Sequence, residues 1–363
     1  MKKNFITVNN KRFHYIWLRD NCLSSKCQDT NSLQRIYDFT ECTSPPEPLL
    51  VEQDDEELRI TWKEEPPHHS TFPISWLMNR AYDPIPKSNS ESEFILWDKA
   101  WLDVNPPEQH NIHSSPPLRW MNELSKLGFT RLSNVSLENL EDFLSSIGPI
   151  LETDYKKIDD IKPTVEGKDI GISINAPAMS PHTDQSYKNF KNLVEFFYCV
   201  EHNAKGGDSI LVDGFYIAEC FRNNHPKYFQ VLTETPVLFQ QFDSQKKYFF
   251  SHQCPIITLD GKGNISRICF SHKNCVRDLP FEQVEDFYAA YSAFMSYLKN
   301  PAYQYQFRYK PGDCLLLNNA RILHGRTAFD SNSGTRHLKA GFIGWDYFIA
   351  RKAFNQKINS VKD

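Results

Sequence analysis

Three features of the sequence predict a mainly β fold with flanking helices. Short runs rich in β-branched and aromatic residues recur in the second half, among them SILVDGF, KKYFFSH, RICFSH, DCLLLNN and HLKAGFIGWD. A pair of helical patterns precedes them. The 363 residues include 26 Phe and 16 Tyr, enough to fill a large core. Many short strands after a pair of helices suggest a β-sandwich or barrel with helices packed outside.

In chain order, the first hundred residues read as short strands. RFHYIWLRD and LRITWKEE are aromatic and β-branched, with Asn9-Asn10 and Pro45-Pro46 as turn signals between elements. From Met78 to Pro117 the composition shifts to Pro, Asn and Ser around isolated apolar clusters such as FILWDKAWL, and this stretch reads as a boundary. We therefore expect a small β domain over residues 1–100 and a larger domain over 101–363. Pro117 suits a first helical position, Leu118, Met121, Leu124 and Leu127 follow at helical spacing, and Gly128 supplies a stop. A second helix is expected from Ser136 as cap to Gly148, with Leu137, Leu140, Phe143 and Leu144 on one face. The longest helical pattern is PFEQVEDFYAAYSAFMSYLKN, where Phe287, Tyr291, Phe294 and Leu298 form a stripe read as core packing.

Charge and cysteine usage narrow the functional class. The 41 basic and 45 acidic residues are spread along the chain for a net charge of −4, which is no footprint for nucleic acid or a membrane surface. No run approaches the roughly 20 apolar residues of a membrane span, and MKKNFITVNN lacks the apolar core of a signal peptide. Nine cysteines scattered without compact spacing fit reduced thiols and a cytoplasmic protein. The expected partners are a small molecule and a second copy of the chain.

The segment MSPHTDQSY places His182 and Asp184 two apart, on one face if the segment is extended. Far downstream, CLLLNNARILHGRTAF carries His324 after an apolar strand and a polar turn, and SGTRHLKAGF places Arg336 at the start of an alternating strand. Two histidines and one carboxylate suggest a facial metal site, which leaves adjacent positions of an octahedral iron open. Such a site needs neutral imidazoles and one anionic oxygen. Arg336, a planar and always charged fork, suits the distal carboxylate of 2-oxoglutarate.

WLRDNC, GFTRLSNV, HTD, GGDSILVDGF, NNARILHGRTAF and RHLKAGFIGWD occur in the order found in the γ-butyrobetaine hydroxylase and trimethyllysine hydroxylase family of Fe(II)/2-oxoglutarate dioxygenases, and the chain resembles that family over nearly its whole length. The resemblance implies a double-stranded β-helix catalytic domain behind a small N-terminal β domain, and a homodimer. It implies that His182, Asp184 and His324 hold Fe(II), that Arg336 binds the co-substrate 2-oxoglutarate, and that the Ser209 hydroxyl helps hold its carboxylate. The implied activity is hydroxylation of an aliphatic C–H. Asp184 fills the position that related halogenases leave to chloride, which favours hydroxylation over halogenation.

Against the family pattern the substrate pocket is altered. Tyr155 and Phe342 keep rings at two positions of the aromatic box that holds a trimethylammonium, while Asp159, Ile174 and Gln185 stand where further aromatics are expected. Asp159 can pair with a primary or secondary amine, or face solvent within DYKKIDDIKP. In RICFSHKNCVRD, His272, Lys273 and Asn274 suggest a more basic wall that takes an anionic group, with surface exposure the favoured reading of Lys273 taken alone. The implied N-terminal zinc site keeps Cys22, Cys27 and His68 but has Ser24 at the middle thiolate, so zinc is retained only if another group closes a four-ligand site. The expected function is hydroxylation of a small polar amine- or carboxylate-bearing metabolite. The alternatives are a γ-butyrobetaine or trimethyllysine hydroxylase of carnitine synthesis, and a silent binding or sensing protein on the same fold.

Overall fold

The computed structural model describes residues 3–41, 44–83, 94–154, 156–162, 177–190, 192–276 and 278–359. The chain divides into two compact units, Met1–Glu91 and Ser92–Asp363.

In the first unit, Asn9 and Asn10 both take positive φ, 44° and 63°, and join the strands Phe5–Val8 and Lys11–His14. Asparagine tolerates this left-handed backbone, which a two-residue hairpin turn requires. The expected strand over RFHYIWLRD ends at His14, and YIWLRD is instead the helix Tyr15–Asp20. Leu18 and Arg19 are buried on one side of that helix, a helical rather than alternating pattern. An antiparallel sheet of Pro48–Gln53, Glu57–Trp62 and His68–Pro73 follows. Leu58, Ile60 and Trp62 alternate onto its inner face and pack with Val8, Phe13, Leu18 and Phe72.

Two larger sheets form the centre of the second unit, with smaller ones beside them. The larger runs in the order Gln109–Asn111, Phe129–Ser133, Cys314–Asn318, Leu193–His202, Arg336–Gly344 and Ile150–Leu151, with Asp159–Ile161 also paired to Arg336–Gly344. The smaller is Met179–His182, Ile322–Arg326, Ser209–Asp213 and Tyr305–Phe307. Phe197, Leu315 and Leu338 of the first pack with Leu211, Phe307 and Ile322 of the second, so the sheets enclose a common apolar interior. Along Leu193–His202 the side chains alternate. Val194, Phe196 and Tyr198 pack with Trp120, Leu124 and Leu144 of the flanking helices, whereas Phe197 and Cys199 join the interior between the sheets.

The helix Pro117–Leu127 has the expected bounds, closed by Gly128 at φ 81°. The second helix is shorter than expected, Leu140–Ile147. Leu137 is exposed and its carbonyl takes the Leu140 amide in a turn, so nothing apolar holds the first expected turn helical. The long stripe forms Phe281–Lys299 with Phe287, Tyr291, Phe294 and Leu298 buried. FILWDKAWL, read as boundary, contributes Trp97 and Leu102 to the core and a helix at Lys99–Val104.

Candidate active site

His182 closes the strand Met179–His182, and its register partner on Ile322–Arg326 is His324. Direct pairing on neighbouring strands brings the two rings to 4.5 Å between centroids. Asp184 lies beyond the strand end rather than on an extended face. Its Oδ1 is 3.2 Å from His182 Nε2 and its Oδ2 is 3.9 Å from His324 Nε2. All three donors can be chosen within 4.8 Å of one another.

The frame around these donors is made by backbone. The Asn319 side chain accepts from the Asp184 amide at 2.9 Å and donates to the Asp184 carbonyl at 2.9 Å. The Thr183 amide donates to the Phe270 carbonyl at 2.8 Å, and the Phe270 amide returns a bond to Thr183 Oγ1 at 3.0 Å. His182 Nδ1 lies 3.0 Å from the Ser180 carbonyl, which leaves Nε2 to the cluster. Burial, reinforced by His182, pushes the His324 imidazole down to about 3, against the pull of Asp184. Burial acts to raise the Asp184 carboxyl, but His182 and His324 outweigh it and hold it well below the usual carboxylate range. A neutral imidazole and an ionised carboxylate are the forms a divalent metal takes as ligands.

The cluster opens on a cavity of about 310 Å³, a size suited to small molecules. Arg336 and Ser209 line it, both buried, and the Arg336 Nε donates to the Gly207 carbonyl at 2.9 Å. Asp159, Gln185, Asn274 and Phe342 also line it. Tyr155 and Ile174 lie outside the described residues. His272 is exposed and is not among the lining residues, while its neighbour Lys273 is half-buried and is one of them, the reverse of the sequence reading. A one-residue shift in a turn exchanges which side chain faces inward, and no periodicity marks it. The Asn274 amide is committed to the protein: its Nδ2 donates to Gln241 Oε1 at 2.6 Å and to the Gln240 carbonyl at 3.1 Å, and its Oδ1 accepts from Ser271 at 3.1 Å.

Sequence reasoning missed Glu195, Tyr309, Gln241 and Arg326, all on the cavity wall. Glu195 Oε2 is 3.6 Å from His324 Nδ1. Its burial, then the Asp184 charge, holds the carboxyl well above its ordinary range. A lone carboxylate in the apolar run LVEFFYCV was the available signal. Tyr309 is buried, and that burial is the dominant push upward on its phenol.

In the first unit, Cys22 Sγ and Cys27 Sγ lie 3.2 and 3.4 Å from His68 Nε2, and Ser24 Oγ is 3.3 Å from Cys22 Sγ. Arg19 Nη1 donates to Cys27 Sγ at 3.3 Å. Zinc bonds of about 2.0–2.3 Å would set similar donor spacings, so the three soft donors fit such an ion and Ser24 stands beside them as the fourth group.

A sandwich whose interior cavity presents two histidines, a carboxylate and a buried arginine is the construction of an iron(II)- and 2-oxoglutarate-dependent dioxygenase. Residues 88–341 match the taurine catabolism dioxygenase TauD, TfdA family, and the chain belongs to that family. Residues 4–78 match the gamma-butyrobetaine hydroxylase-like N-terminal family. The chain is 26% identical to gamma-butyrobetaine dioxygenase of Homo sapiens, covering 93% of this chain and 89% of that one. It is 29% identical to gamma-butyrobetaine dioxygenase of Pseudomonas sp. (strain AK-1), again over 93% and 89%. Trimethyllysine dioxygenase of Meyerozyma guilliermondii is 27% identical over 94% of this chain and 89% of its own.

Proposed function

We propose that His182, Asp184 and His324 hold the Fe(II) of this dioxygenase, that Arg336 and Ser209 hold 2-oxoglutarate, and that the enzyme hydroxylates an aliphatic C–H of a small polar metabolite bearing an amine or carboxylate. The observation that carries this reading is the convergence of the three metal donors on the same cavity wall as buried Arg336. Iron(II) with 2-oxoglutarate supplies dioxygen activation, yielding succinate, carbon dioxide and hydroxylated substrate.

The chain's own residues do the positioning. Ser180 fixes which His182 nitrogen faces the cluster, and Asn319 fixes the backbone of Asp184. Arg336 is oriented by the Gly207 carbonyl and offers its remaining donors as a fork matched to a carboxylate. Phe197, whose ring lies 5.0 Å from that of His324, and Leu211 and Leu315 keep this end of the cavity apolar, which limits access of water. Asp184 would supply a carboxylate ligand to the iron in the place a halide would otherwise take, which favours hydroxylation.

The relatives' names favour a second substrate reading, γ-butyrobetaine or trimethyllysine. Gln185 and Asp159 on the cavity wall weigh against a quaternary ammonium, because neither offers a ring face. We further read the protein as a cytoplasmic homodimer. None of the described cysteines forms a disulfide with another, in keeping with a reducing compartment. Among the described residues no helix is long and apolar enough to cross a membrane. Succinate release from 2-oxoglutarate by iron-loaded protein, with and without candidate substrates, tests the reaction. A protein that binds neither iron nor 2-oxoglutarate would sink it, and sedimentation would test the dimer.

A further inference from the structure

Several charged groups in and beside the cavity already have partners. Asp154 is paired with Lys188, and Asp160 with Lys339 and His337 at 2.8 and 2.6 Å. Arg336 is committed to Gly207 and, in the reading above, to the co-substrate. Lys273 differs. It is half-buried, lines the cavity, and makes no hydrogen bond or ion pair among the described residues. Burial lowers its ammonium, and the charges that act on it are Asp184, which opposes the shift, and Arg326, which adds to it. It shares the cavity wall with His182, Asp184 and His324.

Asp159 is the counterpart. It lines the same cavity from the strand Asp159–Ile161, paired with Ala340 of the larger sheet, and makes no ion pair within 4 Å among the described residues. Burial raises its carboxyl, while the Asp160 amide and the more distant Lys156 and Lys246 pull it back. A cation on one wall and an anion on another, neither of them ion-paired among the described residues, are together complementary to a ligand charged at both ends.

We propose that the substrate is a zwitterion whose cation carries at least one N–H: Lys273 Nζ takes its carboxylate on the side of the metal cluster, and the Asp159 carboxylate accepts from its ammonium. This deepens the dioxygenase reading above and rests on it. A quaternary ammonium has the charge but no hydrogen to give the Asp159 carboxylate, so the site selects primary and secondary amines. The turnover it serves is balanced as C–H + O2 + 2-oxoglutarate giving C–OH + succinate + CO2.

The test uses the full chain loaded with iron(II) and supplied with 2-oxoglutarate, and measures succinate formed with straight-chain ω-amino acids of four to six carbons, their amides, the matching diamines, and γ-butyrobetaine. The amino acids should stimulate succinate formation ~10-fold more than any other group, the effect of one lost charge-assisted hydrogen bond. Lys273→Glu should turn the preference from amino acids to diamines and raise the amino-acid KM by ~10-fold or more. Binding of the best amino acid to manganese-loaded protein in the presence of 2-oxoglutarate, measured by calorimetry, should weaken in step, with an unchanged melting curve as the check on folding. Amides or γ-butyrobetaine serving as well as the amino acids would overturn the proposal, and so would an unchanged preference in Lys273→Glu. Protein that binds 2-oxoglutarate but responds to no member of the panel also counts against the zwitterion. Protein that fails to bind 2-oxoglutarate at all refutes instead the reading on which it rests.

Discussion

Each unit of the molecule gathers three metal-binding side chains, and the two gatherings differ in kind. In the first unit two thiols and one imidazole crowd together at 3.2–3.4 Å, with Arg19 turned onto Cys27 Sγ. In the second, two imidazoles and a carboxylate stand on the wall of a cavity about 310 Å³ in volume. Soft thiolates suit a closed structural zinc, whereas a mixed nitrogen and oxygen set with neighbouring space suits a reactive ion. Equal numbers of donors therefore say little until their softness and surroundings are known.

The comparison breaks most visibly through loss of ligands. His182→Ala or His324→Ala should lower succinate formation by at least ~100-fold while the melting temperature moves by no more than a few degrees, because one of three anchors is gone but the backbone frame stays. Cys22→Ala should do the opposite, removing zinc from the protein and loosening the first unit while leaving iron binding to the second intact; metal analysis together with a melting curve distinguishes the two. Next in size is the co-substrate. Arg336→Lys should raise the KM for 2-oxoglutarate by ~10- to 100-fold, since a point charge cannot reproduce a two-pronged contact; an unchanged KM would remove Arg336 from that role.

A gain of ligand sharpens the contrast. Ser24→Cys should let the first unit keep zinc at one per chain against a mild chelator that strips the natural protein, a change of ~10-fold or more in retention. The smallest effect is in protons. Burial holds the Cys27 thiol above its ordinary value, so at neutral pH it is protonated and zinc must expel that proton. His324, lowered to about 3, and Asp184, lowered from the carboxylate range, carry none to expel at that pH. Metal uptake by the first unit should therefore release protons across the neutral range and strengthen as pH rises. Uptake by the second should draw no proton from these two groups. Calorimetry in buffers of different ionisation enthalpy measures the difference.

The sequence was most readable where one physical rule governed the residue. Pro117 and Gly128 bound a helix because one pre-sets φ and the other accepts a left-handed φ, and the stripe from Phe287 to Leu298 is buried because its spacing leaves it one face. His182, Asp184, His324, Arg336 and Ser209 were legible as a set through motif order, and they meet in space because His182 and His324 share a register. What escaped was decided by neighbours distant in sequence. YIWLRD has strand composition, yet it forms a helix whose Leu18 completes a core built from the later sheet. Lys273 and His272 are indistinguishable in composition, and only the path of the turn after Phe270 turns one inward. Asn274 looked like a reader of substrate, but its amide is used up by Gln240, Gln241 and Ser271.

Asn319 holds both backbone groups of Asp184, and Phe270 and Thr183 exchange two further bonds beside it. These bonds hold the loop through the fold itself, so part of the ordering entropy of metal capture is met by folding. Metal-free protein should therefore keep the contour of this loop, and slow hydrogen exchange at the Asp184 and Thr183 amides would reveal it.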